Sequence, residues 1–155
     1  MKRFIAVALL TAILFVTGCS AEPMQPVDYA QAVMDNAQDY FDIVDSLTVS
    51  ANEALERSEY RTQRKEAEAL LKTVERLTPP VAYSELHDKL CKGIEKEREW
   101  LELVEDLRYS ANGKESELAA EINELVSDPV FPATVLEIAK AVDNDTDGAF
   151  LDSLK

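Results

Sequence analysis

The sequence predicts an all-α protein, an up-and-down bundle of four to five helices. Three observations support this prediction. Strong helix formers such as Glu, Ala and Leu are abundant, and no alternating pattern typical of β-strands is present. Apolar residues recur at steps of three and four, which places them on one face of a helix. Prolines stand in pairs between these apolar series, where helices are expected to begin or end. They are Pro23 and Pro26, Pro79 and Pro80, and Pro129 and Pro132.

The first two helices follow from two apolar series that are out of phase. The first helix is expected to begin near Pro26 or Val27, and the second to end at Leu77, before the prolines. At about 100° per residue, the interval from Leu55 to Ala67 sets the two series about 120° apart. We therefore predict a turn or kink between Glu56 and Arg64. The first series comprises Ala30, Val33, Ala37, Tyr40, Phe41, Val44, Leu47, Ala51 and Leu55.

The third helix is predicted to start at the clearest boundary of the chain. Thr78 can cap a helix, and Pro79 suits a first turn, where no amide donor is needed. An apolar series then runs from Tyr83 to Ala111. Asn112 and Gly113 follow, and both tolerate the left-handed conformation that ends many helices.

Two shorter helices are predicted after Gly113. The fourth covers about residues 114–126, and the last starts near Pro132. After Asp143 the chain becomes acidic, and we expect it to fray. The residues expected to face inward are Leu118, Ile122, Leu125 and Val126 in the fourth helix, and Val135, Leu136, Ile138, Ala139 and Val142 in the last.

The beginning of the chain has the pattern of an export signal. Lys2 and Arg3 precede an uncharged apolar run over residues 4–16. That run is shorter than the roughly 20 residues of a transmembrane helix. Val16-Thr17-Gly18-Cys19 follows, and it resembles the lipobox of bacterial lipoproteins, in which aliphatic and small residues precede a cysteine. The resemblance implies cleavage before Cys19 and attachment of diacylglycerol and a fatty acid such as palmitate to that residue.

A lipidated Cys19 predicts the location of the protein. Each buried methylene group contributes about 0.8 kcal/mol, so two acyl chains give stable anchoring without a spanning helix. Beyond Cys19 no uncharged apolar run approaches membrane length. The expected location is the extracytoplasmic face of a bacterial membrane, and we favour the cell membrane of a Gram-positive bacterium. In a Gram-negative cell, Ser20 after the cysteine implies the outer membrane.

The charge of the chain excludes some partners. The full chain has 16 basic and 30 acidic residues, net −14. Cleavage after residue 18 removes Lys2 and Arg3 and leaves 14 basic and 30 acidic residues, net −16. This balance argues against nucleic acid and against electrostatic binding to anionic lipid. It is compatible with cationic partners, divalent counter-ions or a salty habitat, but the interpretation we favour is a solvated helical surface. Acylation of Cys19 would also leave Cys91 without an intramolecular partner, and burial is the usual fate of such a thiol.

One acidic segment suggests a calcium site. Asp143-Asn144-Asp145-Thr146-Asp147-Gly148 reads Asp-x-Asp-x-Asp-Gly, the opening of an EF-hand loop, in which alternate carboxylates surround the ion. At the position where an EF-hand loop has the Glu that closes the ion site, this chain has Leu154. We consider Asp152 as the carboxylate that could take the place of that Glu. The alternative is a solvated acidic tail. The candidate ligands are Asp143, Asp145, Asp147 and Asp152.

Catalysis has little support in the sequence. His87, Cys91 and Glu95 are spaced four apart and share one helix face, where they suggest zinc or copper, but a closed zinc site needs four ligands. The alternative is a surface histidine beside a partly buried cysteine. Nucleophile-elbow, Glu-x-x-His and phosphate-loop motifs are absent from the sequence. We therefore predict that the protein is not an enzyme, and a hydrolase built around His87 ranks last.

Residues 70–90, with Leu-Thr-Pro-Pro at their centre, are similar to the middle hairpin of small uncharacterised helical lipoproteins of Gram-positive bacteria. This resemblance implies an envelope location and no known activity. The predicted organisation is a signal peptide over 1–18, a lipidated cysteine and spacer over 19–25, a helical bundle over 26–142 and an acidic tail over 143–155. The predicted function is a non-enzymatic, membrane-anchored binding or scaffolding module with an envelope protein as partner. The alternative is a calcium-binding module.

Overall fold

The computed structural model describes residues 22–49 and 55–154, and within them the protein is all-helical without β-strands. This confirms the predicted fold class. No helix in these two ranges combines the length and the apolar character that a membrane crossing requires. The helices are α1 (Pro26–Val49), α2 (Arg57–Glu75), α3 (Ser84–Tyr109), α4 (Glu115–Ser127), α5 (Val130–Asp145) and α6 (Ala149–Asp152).

Four of the helices form a closed ring in the order α1, α2, α3, α5, each packing against two neighbours. Cross-helix contacts show that neighbours are antiparallel. The hydroxyl of Tyr60, near the start of α2, donates to the carbonyl of Leu101, near the end of α3, at 3.3 Å. Lys89 near the start of α3 pairs with Glu137 of α5 at 2.7 Å. Helix α4 lies outside the ring and packs mainly against α3.

The core lies inside this ring. It is built from the apolar faces of α1, α2, α3 and α5, and α4 contributes no fully buried residue. Gly93 marks the closest approach of α3 and α5, because a Cβ placed there would lie 2.6 Å from the backbone nitrogen of Phe131. The largest fully buried side chains include Tyr29, Tyr40, Tyr60, Phe131 and Phe150.

The predicted break between the first two helices is present, but its position between Glu56 and Arg64 is wrong, because α1 ends at Val49 and α2 is already helical from Arg57. Tyr60 is fully buried and extends the inner face of α2 by almost two turns. The apolar pattern does not reveal this part of the helix, because it carries the charged residues Arg57, Arg61 and Arg64. In the structure these arginines pair with Glu105 of α3. Ala51, placed on the first helix by the sequence, lies outside the described residues.

The third helix also starts later than predicted, at Ser84, after a 3₁₀ turn over Val81–Tyr83. Thr78 does not cap it. The Thr78 carbonyl instead accepts a hydrogen bond of 3.0 Å from the Met24 amide, which ties the segment before α1 to the α2–α3 connection. The predicted stop is confirmed, because Asn112 and Gly113 have φ values of 47° and 90°.

The last part of the chain is more ordered than predicted. Helix α5 begins at Val130, so Pro132 falls in its first turn, where a missing amide donor is tolerated. Leu136 and Val126, both predicted to face inward, are each 58% exposed. The chain does not fray after Asp143, because α5 continues to Asp145. Gly148 then reverses the direction of the backbone in a left-handed conformation, and Phe150 of α6 packs into the core.

Candidate functional site

An apolar groove opens between α1 and α4 above the second half of α3. Helix α5 covers the first half of α3, and α4 returns along the second half without closing against α1. The groove holds two cavities of about 220 and 400 Å³, and Trp100 lines both. We call it the α1–α4 groove. Its main lining residues are Val44, Leu47 and Thr48 of α1, Glu97, Trp100, Val104 and Leu107 of α3, and Ile122, Leu125 and Val126 of α4.

The groove has the composition of a binding site. Ligand sites are usually concave and mostly apolar, with a few polar groups that fix the orientation of the ligand. The larger cavity falls within the usual range of roughly 300–1,000 Å³. Trp100 is only partly buried, and the apolar side chain of Val126 stands 58% exposed at the rim. These surfaces are available to a partner.

The polar group in the groove floor is the carboxyl of Glu97. Its Oε2 accepts a hydrogen bond of 2.6 Å from the hydroxyl of Tyr40. Burial raises the pKa of Glu97 above its ordinary value, and the hydrogen bond from Tyr40 offsets this only in part. A carboxyl with a raised pKa in an apolar cleft is a functional-site candidate, because the charged form gains from a cation or donor that enters the cleft.

Tyr40 is held rigidly behind Glu97. Its ring packs edge-on against Phe41 and Phe131, with centroid separations of 5.4 and 5.6 Å. Burial, followed by the charge and hydrogen bond of Glu97, raises the pKa of Tyr40 far above its ordinary value of 10.0. The hydroxyl therefore stays protonated and donates to Glu97, which fixes the carboxyl towards the groove.

Two basic side chains also line the groove, and both have partners. Lys96 pairs with Asp128 at 2.5 Å. Arg108 donates to the carbonyl of Leu47 at 3.2 Å and stacks over the ring of Tyr109 at 5.8 Å. These contacts hold the α3 side of the groove to the residue after α4 and to α1, respectively.

A second, charged cavity of about 530 Å³ lies between α2 and α3. Glu105 is only 6% exposed there and accepts from Arg61 at 2.8 Å and from Arg64 at 2.9 Å. Arg57 approaches it at 3.5 Å, and Arg64 also pairs with Glu102 at 3.0 Å. Since the opposite charges meet each other, this Glu105 cluster is a clamp between two helices.

The proposed calcium ligands do not face one point. The Oδ1 of Asp143 accepts from the amide of Leu151 at 2.9 Å, and the Oδ2 of Asp145 accepts from the hydroxyl of Tyr83. Asp147 has a φ of 53° in the turn after α5, and Asp152 lies in α6. In the part of the chain that the structure describes, no three His, Cys, Asp or Glu residues are grouped as metal ligands.

Calcium binding at this segment stays a prediction, and it has a direct test. Under the calcium hypothesis, titration calorimetry of the protein gives binding heat at millimolar calcium, and Asp145→Asn reduces it because a carboxylate ligand is lost. Asp128→Asn, which changes a carboxylate outside the segment, is the control. No heat in the unsubstituted protein would refute the hypothesis.

His87 is not the surface residue that one alternative placed beside Cys91. It is buried, and its Nδ1 lies 3.1 Å from the hydroxyl of Tyr29. Cys91 is partly buried, and burial, with Glu75, Asp88 and Glu95 nearby, raises its pKa. A thiol held protonated in this way is a poor nucleophile. Cys19 lies outside the described residues.

The groove was not predicted, although the sequence carries a trace of it. The inner face of α3 runs through Leu90, Ile94, Leu101 and Val104, and Glu97 occupies the step that an apolar residue would fill. A single carboxyl inside a helical apolar series is the signal that marks the site. Comparison of the chain with protein-family models, with curated proteins and with solved structures gives no significant match.

Proposed function

We propose that this protein is a lipid-anchored, extracytoplasmic binding module of a bacterial envelope, and that the α1–α4 groove receives its partner. The observation that carries the proposal is the groove itself, with Trp100 and the carboxyl of Glu97 in its floor. The lipobox-like segment before Cys19 supports the anchor. An apolar cleft with one oriented polar group suits recognition of a partner.

The position of the groove suits a tethered protein. Helix α1 begins at Pro26, seven residues after Cys19, and the groove lies along the second half of that helix. At about 1.5 Å per residue, the segment from Tyr40 to Val49 lies roughly 20–35 Å from Pro26 along the axis. The start of α1 and the groove are therefore at opposite ends of that helix, and an anchor that precedes α1 is compatible with an open groove.

The chemistry of the groove supports a non-enzymatic role. Catalytic nucleophiles are activated by a neighbouring base within hydrogen-bond reach. The hydroxyl of Tyr40 is buried and stays protonated, and it donates to Glu97 as a structural partner.

Anchoring and binding are tested together in living cells. A photo-cross-linking residue replaces Val126 at the groove rim, or Leu136 as a control, since both are 58% exposed apolar side chains. We expect membrane-fraction protein that forms a defined cross-linked product at position 126 and not at 136. Adding Cys19→Ala removes the lipid, so the protein is left unprocessed or released and the product is lost.

The two halves of the proposal fail separately in this experiment. A Cys19→Ala protein that stays processed and membrane-bound contradicts the lipid anchor, and Cys91→Ala is the matched cysteine control. Equal products at positions 126 and 136, or none at either, contradict the groove as the binding surface.

A further inference from the structure

We infer that the α1–α4 groove takes a cationic amphipathic α-helix of an envelope protein, with apolar side chains on Trp100 and a Lys or Arg side chain at Glu97. This inference rests on the proposed binding function and names the chemistry of the partner. Three independent features support it: the charge of the helices that flank the groove, the position of Glu97, and the dimensions of the cleft.

The two helices that flank the groove carry acidic and no basic side chains. Helix α1 carries five Asp and no basic residue, and α4 carries four Glu and no basic residue. The basic side chains at the floor and rim, Lys96 and Arg108, are engaged with Asp128 and with the Leu47 carbonyl. The acidic flanking helices and the net charge of −14 therefore favour the approach of a cationic partner and disfavour an anionic lipid or an acidic segment.

Glu97 supplies the central contact. Among the described residues, the hydrogen bond that Glu97 accepts is the one from Tyr40 to Oε2, which leaves Oε1 able to accept from a donor that enters the groove. The indole of Trp100, three residues along α3, lines the same cavity. An ammonium or guanidinium group there meets both a carboxylate and an aromatic ring, the two surfaces that favour a desolvated cation.

The dimensions fit a helix. Along the floor, Glu97 to Leu107 spans about 15 Å, which is roughly three helical turns. Helices that lie in apolar grooves use anchors at steps of three, four and seven residues, and the two cavities on either side of Trp100 provide such successive pockets. A helix in the groove would pack over α3, between α1 and α4.

A second copy of this chain is the competing occupant, and its charge disfavours it. The protein has a net charge of −14 before processing, and both helices that flank the groove carry acidic and no basic side chains. Two copies that meet through this face would bring like charges together at the cost of affinity.

The chain contains its own reporter for the test, because Trp100 is the single tryptophan. The lipidated protein in neutral detergent is titrated with tryptophan-free Leu/Lys and Leu/Glu helical peptides of equal length and pattern. We expect a saturable blue shift of the Trp100 emission with the Leu/Lys peptide, and affinity at least about tenfold weaker with the Leu/Glu peptide, a difference of about 1.4 kcal/mol.

Matched variants locate the binding. Val126→Lys should weaken the Leu/Lys peptide at least about tenfold, whereas Leu136→Lys adds the same charge at equal exposure on α5 and should leave binding within about twofold. Glu97→Gln should weaken the Leu/Lys peptide and not a peptide whose central Lys is Gln. Circular dichroism confirms that each variant is folded before binding is compared.

Each outcome decides the inference. Equal affinity for the two peptides, or equal effects of Val126→Lys and Leu136→Lys, overturns the cationic helix. A Trp100 emission that changes with protein concentration alone identifies self-association and also overturns it. If the cellular cross-link at position 126 persists in those cases, the proposed function stands. Loss of that cross-link is the separate failure of the function itself.

Discussion

Gly93→Ala is expected to lower the free energy of unfolding by about 1–2 kcal/mol, although alanine favours helices. The added Cβ would lie 2.6 Å from the backbone nitrogen and 2.7 Å from the Cα of Phe131. Backbone atoms cannot rotate aside, so α3 and α5 must separate. Overpacking of this kind costs roughly 1–3 kcal/mol, occasionally more, and the gain in helix propensity of up to about 1 kcal/mol offsets only part of it.

Urea unfolding followed by circular dichroism at 222 nm measures this effect. Lys92→Ala is the control, since it introduces the same side chain at the adjacent, exposed position of α3. We expect the control to stay within about 0.5 kcal/mol of the unsubstituted protein, as is usual for surface changes. A Gly93→Ala protein as stable as the control would show that α3 and α5 do not cross at contact.

Glu105→Gln is expected to cost about 2 kcal/mol at neutral pH. The substitution removes the charge that Arg61 and Arg64 share while preserving the shape of the side chain. Breaking a buried pair costs roughly 3–5 kcal/mol, and we discount this because Arg61 is 55% exposed and can be solvated by water. Glu102→Gln is the matched control, because its side chain is 68% exposed and makes a single pair with Arg64.

The pH dependence gives this prediction a second readout. Burial alone would raise the pKa of Glu105, but hydrogen bonds and charges from Arg61 and Arg64 outweigh burial and lower it below 4.5. The stabilisation is therefore complete above about pH 4.5 and is lost as the pH falls through the folded-state pKa. The difference between wild type and Glu105→Gln should be constant at neutral pH and should shrink in acid. A difference that does not change with pH would contradict the ionic origin of the clamp.

The predictable parts of the fold depend on local chemistry. The start of α1 at Pro26 and the stop at Asn112 and Gly113 follow from backbone preferences of single residues, and both appear in the structure. The beginning of α2 was missed because its inner face carries arginines whose partner, Glu105, lies 41 or more residues away. Periodicity treats such residues as solvent-facing, since pairing across helices is a tertiary property.

The candidate site depends on packing that no local pattern encodes. The apolar series of α4 predicted an inward face, yet α4 packs mainly against α3, so Ile122 and Leu125 are only partly covered and Val126 is exposed. The groove exists because α4 does not reach α1. Residues 1–19 predict location through a processing signal, which is independent of the fold.

The hydrogen bond from the Met24 amide to the Thr78 carbonyl shortens the segment that can extend freely between the helical bundle and a lipid at Cys19. With Cys19 acylated as proposed, the slack between membrane and bundle is the five residues from Cys19 to Met24, at most about 17 Å. A linker this short raises the effective concentration of the groove for proteins of the same membrane and keeps it out of reach of proteins far from that membrane. If a partner helix occupies the groove as proposed, that helix must therefore lie close to the same lipid surface.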